Sequence, residues 1–509
     1  MKKIFFFSFA VILTAISINT KAQNYNNDGD MLFGSSNIHT IYFNFYHPAY
    51  YDSLTASYVN DTYYTCDMIF DGTSFDSVGI KFKGNSSYNN PSIKKSMKID
   101  MDLNIASQDV DDLNKFNLGN GFKDPTFMRE KIMCDFMIKN NIPAPRVTYA
   151  KVYYNNAYWG FFTLTEEANK DFLDGWFNDQ RGNLFKGDPT GDLKWINSTP
   201  SSYYNKYELK TNETQNDWTD LVQLIKVANN TPIGDLRDSL DKYFYTTEFL
   251  LGWAACNIFS NLDSYIGSGH NYYIYHDSLY GKFRWIMYDV NEAFGVFTQG
   301  MSITQLENLS PFYLGSPVTN RPLCNNLLQD AATLQELTYW FCVLLQPDQF
   351  SNANLDPIID SLANKIRNDV YADPNKFYTN QNFEDNQIMN LNIVGPGGGN
   401  FPGLKTFITN RRASLTTSLA PYGCYLGVNE NSEIDFFTVF PNPSSDNITI
   451  STTEENKEIT ITITNILGQI VCSETFLNSA ITINISELPS GIYTLNYDNR
   501  AYKKIEVQR

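Results

Sequence analysis

Histidine is scarce in this chain of 509 residues. There are four, at positions 39, 47, 270 and 276, and none falls at H-x-x-x-H spacing, which removes the usual helical zinc constellation. The seven cysteines, at 66, 134, 256, 324, 342, 424 and 472, never form C-x-x-C, so a zinc ribbon and a dithiol redox motif are excluded as well. Their odd number leaves at least one free thiol, and pairs such as Cys324 with Cys342 are candidates for a disulfide in an oxidising compartment. Basic residues are also outnumbered. Thirty-eight Lys and Arg against 55 Asp and Glu give a net charge of -17, which argues against a nucleic-acid partner, because phosphate binding relies on a basic excess. Beyond the first residues no apolar run approaches the roughly 20 residues that a membrane span needs. The glycine-rich run GPGGGN (395–400) lacks the G-K-[ST] ending, so it is read as a flexible loop and not as a phosphate loop.

What is present begins with an export signal. Met1-Lys2-Lys3 is a short basic start, IFFFSFAVILTAISI is an apolar run of h-region length, and Thr20-Lys21-Ala22 offers small residues for cleavage before Gln23. The expectation is a signal peptide over residues 1–22 and a secreted or surface-attached protein. The length leaves room for roughly two to four domains. The reading adopted is an N-terminal segment over 23–37, a body over 38–421, a linker over 422–434 and a C-terminal domain over 435–509. In that last domain, runs such as EITITIT and AITINI alternate with period two and are separated by turn residues, which predicts a small antiparallel β-sandwich. Three pieces in order, FPNP (440–443), NILGQIV (465–471) and LPSGIYTL (488–495), with a basic KK near the end, resemble the C-terminal sorting domain of the type IX secretion system. That resemblance implies the type IX machinery as a partner and delivery to the cell surface or medium.

The body reads as mixed α and β. SVGIKFKGNSS and KSMKIDMDL look like two strands joined by a loop. DPTFMREKIMCDFMIKNN looks like a helix, with Asp124 as N-cap and Pro125 in its first turn. RVTYAKVYYNNAYWGFFTLTEE reads as a hairpin turning at Asn155-Asn156, TEFLLGWAACNIFSNLD as a buried helix, and NYYIYHD and KFRWIMYD as a second strand pair. This order suggests an α+β, two-lobed body. One stretch raises a chemical question. WIMYDVNEAFG (285–295) brings Asp289 to the end of an apolar strand, where a carboxylate is expensive to desolvate unless it meets a cation or caps the following turn.

Six pieces in register resemble the CotH family of atypical protein kinases: GIKFKGNSS (79–87), KKSMKIDMD (94–102), FNLGNGFKDPTFMREKI (116–132), NIPAPRVTYAKVYYNNAYWGFFTLTEE (141–167), NLFKG (183–187) and WIMYDVNEAFG. The resemblance implies a protein-kinase-like fold that uses ATP with Mg²⁺, or Mn²⁺, to phosphorylate Ser or Thr of surface proteins. Carried onto these positions, the KFKGNSS turn with Lys83 lies over the phosphates. Lys95 or Lys98 is the strand lysine that contacts them; strand alternation puts the two on opposite faces, so only one can do so. Glu130 pairs with that lysine, Asp263 is the catalytic aspartate that orients the acceptor hydroxyl, and Asn271 and Asp289 ligate the metal.

Two features depart from the pattern. The gap between Asp263 and Asn271 is eight residues, against five in ordinary kinases, so the loop must be built differently. The family's strand-end motif reads Asp-x-Asp, whereas this chain has Asp289-Val290-Asn291, one fewer negative ligand for a divalent ion. The rival reading is therefore a catalytically silent relative that binds glycans or partner proteins, with aromatic stretches such as YNNAYWGFF as the contact face. A glycoside hydrolase using two carboxylates ranks last, since no motif supports it.

Overall fold

The computed structural model describes residues 26–395, 397–424, 437–452, 459–465, 470–477, 480–497 and 501–508. The expected signal peptide lies outside them, as does most of the expected linker. The chain divides into two compact units, residues 1–425 and 426–509.

The first unit is mixed α+β and opens with seven strands: β1 (His39–Asn44), β2 (Tyr64–Phe70), β3 (Thr73–Lys83), β4 (Ser96–Asp100), β5 (Lys115–Gly119), β6 (Val147–Tyr154) and β7 (Ala157–Glu166). They close into a barrel in the order β1-β2-β3-β4-β5-β7-β6, with the parallel pair β6–β1 completing the ring. Period-two alternation sorts their side chains. Ile80, Phe82, Met97, Ile99, Phe116 and Leu118 fill one core with no more than 2% exposure, which leaves Lys81, Lys83, Lys98 and Asn117 on the outer face. The β6–β7 hairpin turns at Asn155 (φ 48°) and Asn156 (φ 69°), the positive angles a two-residue type I′ turn requires. Beyond that turn the strand becomes progressively buried. Tyr154, Phe161 and Phe162 are buried and Trp159 stacks on Tyr154 at 4.4 Å, so within YNNAYWGFF only Asn155 to Ala157 are exposed, with Tyr158 and Trp159 half-buried, and most of its aromatic surface is spent on packing.

The helix expected after β5 spans Arg129–Lys139, and Met128, not Asp124, occupies its N-cap position. The chain makes a tight excursion first, with positive φ at Lys123 and Phe127. Asp124 still serves the helix start, since its carboxylate accepts from the backbone N–H of Arg129 (2.8 Å) and of Thr126 (2.9 Å). Downstream, β8 (Leu184–Lys186), β9 (Glu208–Leu209), β10 (Tyr272–Asp277) and β11 (Lys282–Met287) form a sheet in the order β11-β10-β8-β9. The helix Thr246–Ile258 is apolar all round and correspondingly buried, packed on β11 and on the helix Ala331–Leu344. Of GPGGGN, Gly395, Gly397 and Gly398 lie in the connection between β12 (Leu391–Ile393) and β13 (Gly399–Phe401), where the Lys123 ammonium and the Tyr378 hydroxyl donate to the carbonyls of Gly398 and Gly397, while Gly399 and Asn400 already belong to β13. The disulfide joins Cys342 to Cys424, with Cα atoms 5.4 Å apart, and Cys324 remains a buried free thiol. The Cys324–Cys342 pairing is thereby corrected. Among the described residues no helix is long and apolar enough to cross a membrane.

The second unit is all-β. Strands β14 (Phe437–Phe440), β15 (Asn447–Thr452) and β18 (Ala480–Asn484) form one antiparallel sheet. Strands β16 (Ile459–Thr464), β17 (Ile470–Phe476), β19 (Gly491–Tyr497) and β20 (Ala501–Val507) form another. Inward residues of both, among them Ile448, Ile450, Ile461, Ile463, Leu495 and Ile505, share a single core, as a sandwich requires.

Candidate functional site

The alternation that fills the barrel also builds the site. With the apolar residues of β3, β4, β5 and β7 inside, Lys83, Ser96, Lys98, Asn117 and Thr165 fall on the outer face in adjacent register. There they line a cavity of about 70 Å³ with Gly84, Ser87, Gly119, Glu130, Tyr288, Asp289 and Asn291, though Lys98 itself stands just outside the lining. That space suits a phosphate group and its waters. It is smaller than the roughly 300–1,000 Å³ of a pocket that encloses a whole small molecule. A larger depression of about 560 Å³, lined by Lys170, Asp174 and Arg181 among others, shares no residue with it, and its Arg181 is already paired with Asp179 at 2.7 Å. The smaller cavity gathers the chemistry.

Lys98 Nζ pairs with Glu167 Oε1 at 2.6 Å, and Asn117 Nδ2 donates to Glu167 Oε2 at 2.6 Å. Lys83 Nζ donates to Asn117 Oδ1 (3.0 Å) and to the Tyr288 hydroxyl (3.1 Å). Burial pushes the Glu167 carboxyl up, but Lys98 and Lys83 outweigh it and hold the group down at about 2. Lys95 takes the opposite parity. Its ammonium donates to the carbonyls of Tyr88 and Asn90, each at 2.6 Å, and it does not line the cavity. Glu130, in the first turn of its helix, stands in the field of Lys83 and Asp289, not in contact with Lys98. Burial, then Asp289, pushes it up to about 7, while Thr163 donates to it at 3.3 Å.

Asp263 and Asn271 come together despite their spacing, because the loop between them folds back on itself. Ser268 N and Gly269 N donate to the carbonyls of Leu262 and Ser264 (each 2.9 Å), and Asn271, at φ 56°, returns its amide to the Asp263 carbonyl (3.0 Å) and to Oδ2 (2.9 Å). His270 Nε2 reaches Asp263 Oδ1 at 2.7 Å. Asp289 follows β11 at φ 53° and faces the cavity. Solvent reaches it there, yet protein crowds around it. That crowding, reinforced by Asp263, raises its pKa against the pull of Lys83, Lys186 and His270. Glu292 behaves alike: burial, then Asp263, pushes it up to about 7. Among the described residues no three His, Cys, Asp or Glu side chains form a metal cage. Mg²⁺ does not need one, since it is commonly held by one or two carboxylates with substrate phosphates. Sequence reasoning missed Glu167, His270 and Glu292. Glu167 was signalled only by the acid pair ending TLTEE, and His270 by its place beside Asn271 in GSGHN.

The geometry is that of an α+β protein with one lysine, two carboxylates and two amides lining a small cavity at the outer face of a barrel. The chain belongs to the CotH family: the family described as CotH kinase protein matches residues 80–415, more than half of the sequence. Residues 438–508 match the secretion system C-terminal sorting domain. That domain implies the type IX machinery and points to secretion with surface or outer-membrane attachment. The chain is also similar to inner spore coat protein H of Bacillus subtilis (strain 168), 23% identical over 185 residues, covering 36% of this chain and 50% of that protein. It thus spans about half the length of the curated relative it matches.

Proposed function

We propose that this protein is a secreted or surface-attached atypical protein kinase that transfers the γ-phosphoryl group of ATP to Ser or Thr hydroxyls of surface proteins. In this reading the barrel and the helical region with β8–β11 act as the two lobes of a kinase. The observation that carries it is the meeting of Lys83, Glu130, Asp289 and Asn291 around one cavity, beside the Lys98–Glu167 pair. The residues fit a metal-nucleotide substrate. The donors around the cavity are hard oxygens and one ammonium, and Gly84 sits at φ +92°, a backbone conformation that residues with a Cβ rarely adopt, where a Cβ would lie 2.0 Å from Ser87 Oγ unless that hydroxyl turned away. Bound Mg²⁺, or Mn²⁺, would neutralise charge on the phosphate oxygens, with Asp289 and Asn271 as its protein ligands.

The chain's own groups do the rest. Lys83 sets a positive charge at the cavity wall, steadied by Asn117 and Tyr288. Glu167 and Asn117 keep Lys98 extended on the same face. Asp263, held by His270 and Asn271, orients the acceptor hydroxyl and takes its proton. Asn291, which lines the cavity where an acid would add charge, favours the second reading, a catalytically silent module that binds partners at the surface.

Thermal unfolding with and without Mg-ATP separates the two. A ligand at 100 times its Kd adds about 2.7 kcal/mol of stability. The kinase reading expects a shift that disappears in Asp289→Ala, and radiolabel transfer to an acceptor protein that disappears in Asp263→Ala. No shift with any nucleotide or divalent ion overturns it.

A further inference from the structure

We propose that His270 is the positioning residue of this site: its Nε2–H fixes the Asp263 carboxylate in the orientation that receives the acceptor hydroxyl. The inference rests on the kinase reading of Asp263. Its ground is the way the two oxygens are held. His270 Nε2 lies 2.7 Å from Oδ1 and Asn271 Nδ2 lies 2.9 Å from Oδ2, so two donors from adjacent residues set the plane of one carboxylate. A single donor would leave it free to rotate about its Cβ–Cγ bond.

The backbone beneath is braced for this purpose. Gly269 has φ +89° and lies against the Arg321 guanidinium, which a Cβ would approach to 2.9 Å, and Arg321 also donates to the carbonyl of Gly267. Arg321 is itself 6% exposed. The backbone from which His270 leaves is therefore held both by the loop's own hydrogen bonds and by a buried contact with Arg321. Packing does not explain the ring. It is 31% exposed, and among the described residues it stacks on no aromatic partner. What it contacts is Asp263. An ionised carboxylate offers only acceptors, so the ring nitrogen facing it carries the proton.

The two ring nitrogens provide the test. A glutamine amide can reach the place of Nε2, whereas an asparagine amide reaches only that of Nδ1. Full-length wild type, His270→Ala, His270→Gln and His270→Asn are compared for radiolabel transfer from Mg-ATP, for KM of ATP, and for the Mg-ATP thermal shift. His270→Ala is expected to lower kcat by about 10- to 100-fold with KM and the thermal shift unchanged, since His270 does not line the phosphate cavity. Glutamine is expected to recover most of the loss and asparagine none. Wild-type kcat in His270→Ala, or equal rescue by asparagine, overturns the inference while the kinase reading stands. No transfer by the wild type overturns both.

Discussion

The ion pair between Lys98 and Glu167 offers the sharpest test of the site's electrostatics. Glu167 is held at about 2 against an ordinary 4.5. The folded value is the lower one, so the stabilisation is fully present above about pH 4.5 and is lost as pH falls through 2. A difference of that size corresponds to about 3 kcal/mol at neutral pH. Burial pulls the Lys98 ammonium the other way, below its ordinary value, so this figure is a ceiling for the pair. Lys98→Met removes the nearer cation and leaves a carboxylate that is 6% exposed with only Lys83 and Asn117. The expected loss is about 3 kcal/mol, the low end for breaking a buried pair. Glu167→Gln is expected to cost about 1 kcal/mol, because Lys98, 20% exposed, can turn to solvent and the amide can still bond Asn117. The double variant should then lie near Glu167→Gln, giving a coupling of about 3 kcal/mol. Urea unfolding followed by tryptophan fluorescence measures it. All seven tryptophans precede residue 425, so the signal reports the first unit alone. Strict additivity, with coupling under about 0.5 kcal/mol, would refute the argument, as would an Glu167→Gln variant that keeps the wild type's loss of stability between pH 4.5 and 2.

Two further outcomes are expected. Cys342→Ser opens a cross-link between residues 82 apart and should lower the stability of the first unit by about 4 kcal/mol by the same fluorescence assay, an effect that reductant reproduces in the wild type. Asn291→Asp adds a carboxylate to the cavity lining and should strengthen divalent-ion binding by at least several-fold in calorimetry; unchanged affinity would place Asn291 outside the ion's reach.

Local signals carried well from sequence to fold. The Asn155-Asn156 turn and the period-two strands of the second unit were legible because turn chemistry and alternation act within a few residues. Closure of the barrel was not, because it depends on β6 meeting β1 more than a hundred residues away. That closure decides which face of each strand is inside, and hence which lysine is available. Lys95 shares its parity with Met97 and Ile99, and both turn into the core. The sequence held this sign, since Lys98 alternates with those two apolar residues, but without knowing that the sheet closes, a core face and a solvated face read alike. The Asp124 cap failed for a related reason: Lys123 and Phe127 adopt positive φ, which no propensity would assign to them, and this delays the helix to Arg129. Glu167 was invisible as Lys98's partner because the two are 69 residues apart and meet only across the sheet.

The charge balance of the site supports a ligand that brings positive charge. Lys98 and Glu167 neutralise each other, which leaves Glu130 and Asp289 in the field of Lys83, Glu292 in that of Lys123 and His270, and Asp263 against His270 at 2.7 Å. Glu130, Asp289 and Glu292 are each pushed above their ordinary values, and in each case a neighbouring acid adds to the crowding of protein around the group, although solvent still reaches Asp289. A fold selected only for stability gains nothing from crowding carboxylates in this way, since each raised pKa is a cost at neutral pH. In the proposed reading a divalent ion entering with phosphate oxygens would reverse that cost, because it would offset several acids at once while Lys83 met the anion it carries. The placement of Asp289 at the end of an apolar strand then has a physical reason: β11 delivers one carboxylate to the centre of this field, and its positive φ turns it toward the cavity and not along the strand. Under the proposed kinase reading the acids of the site would act together on one cation, and Asn291 would set how strongly that cation is held.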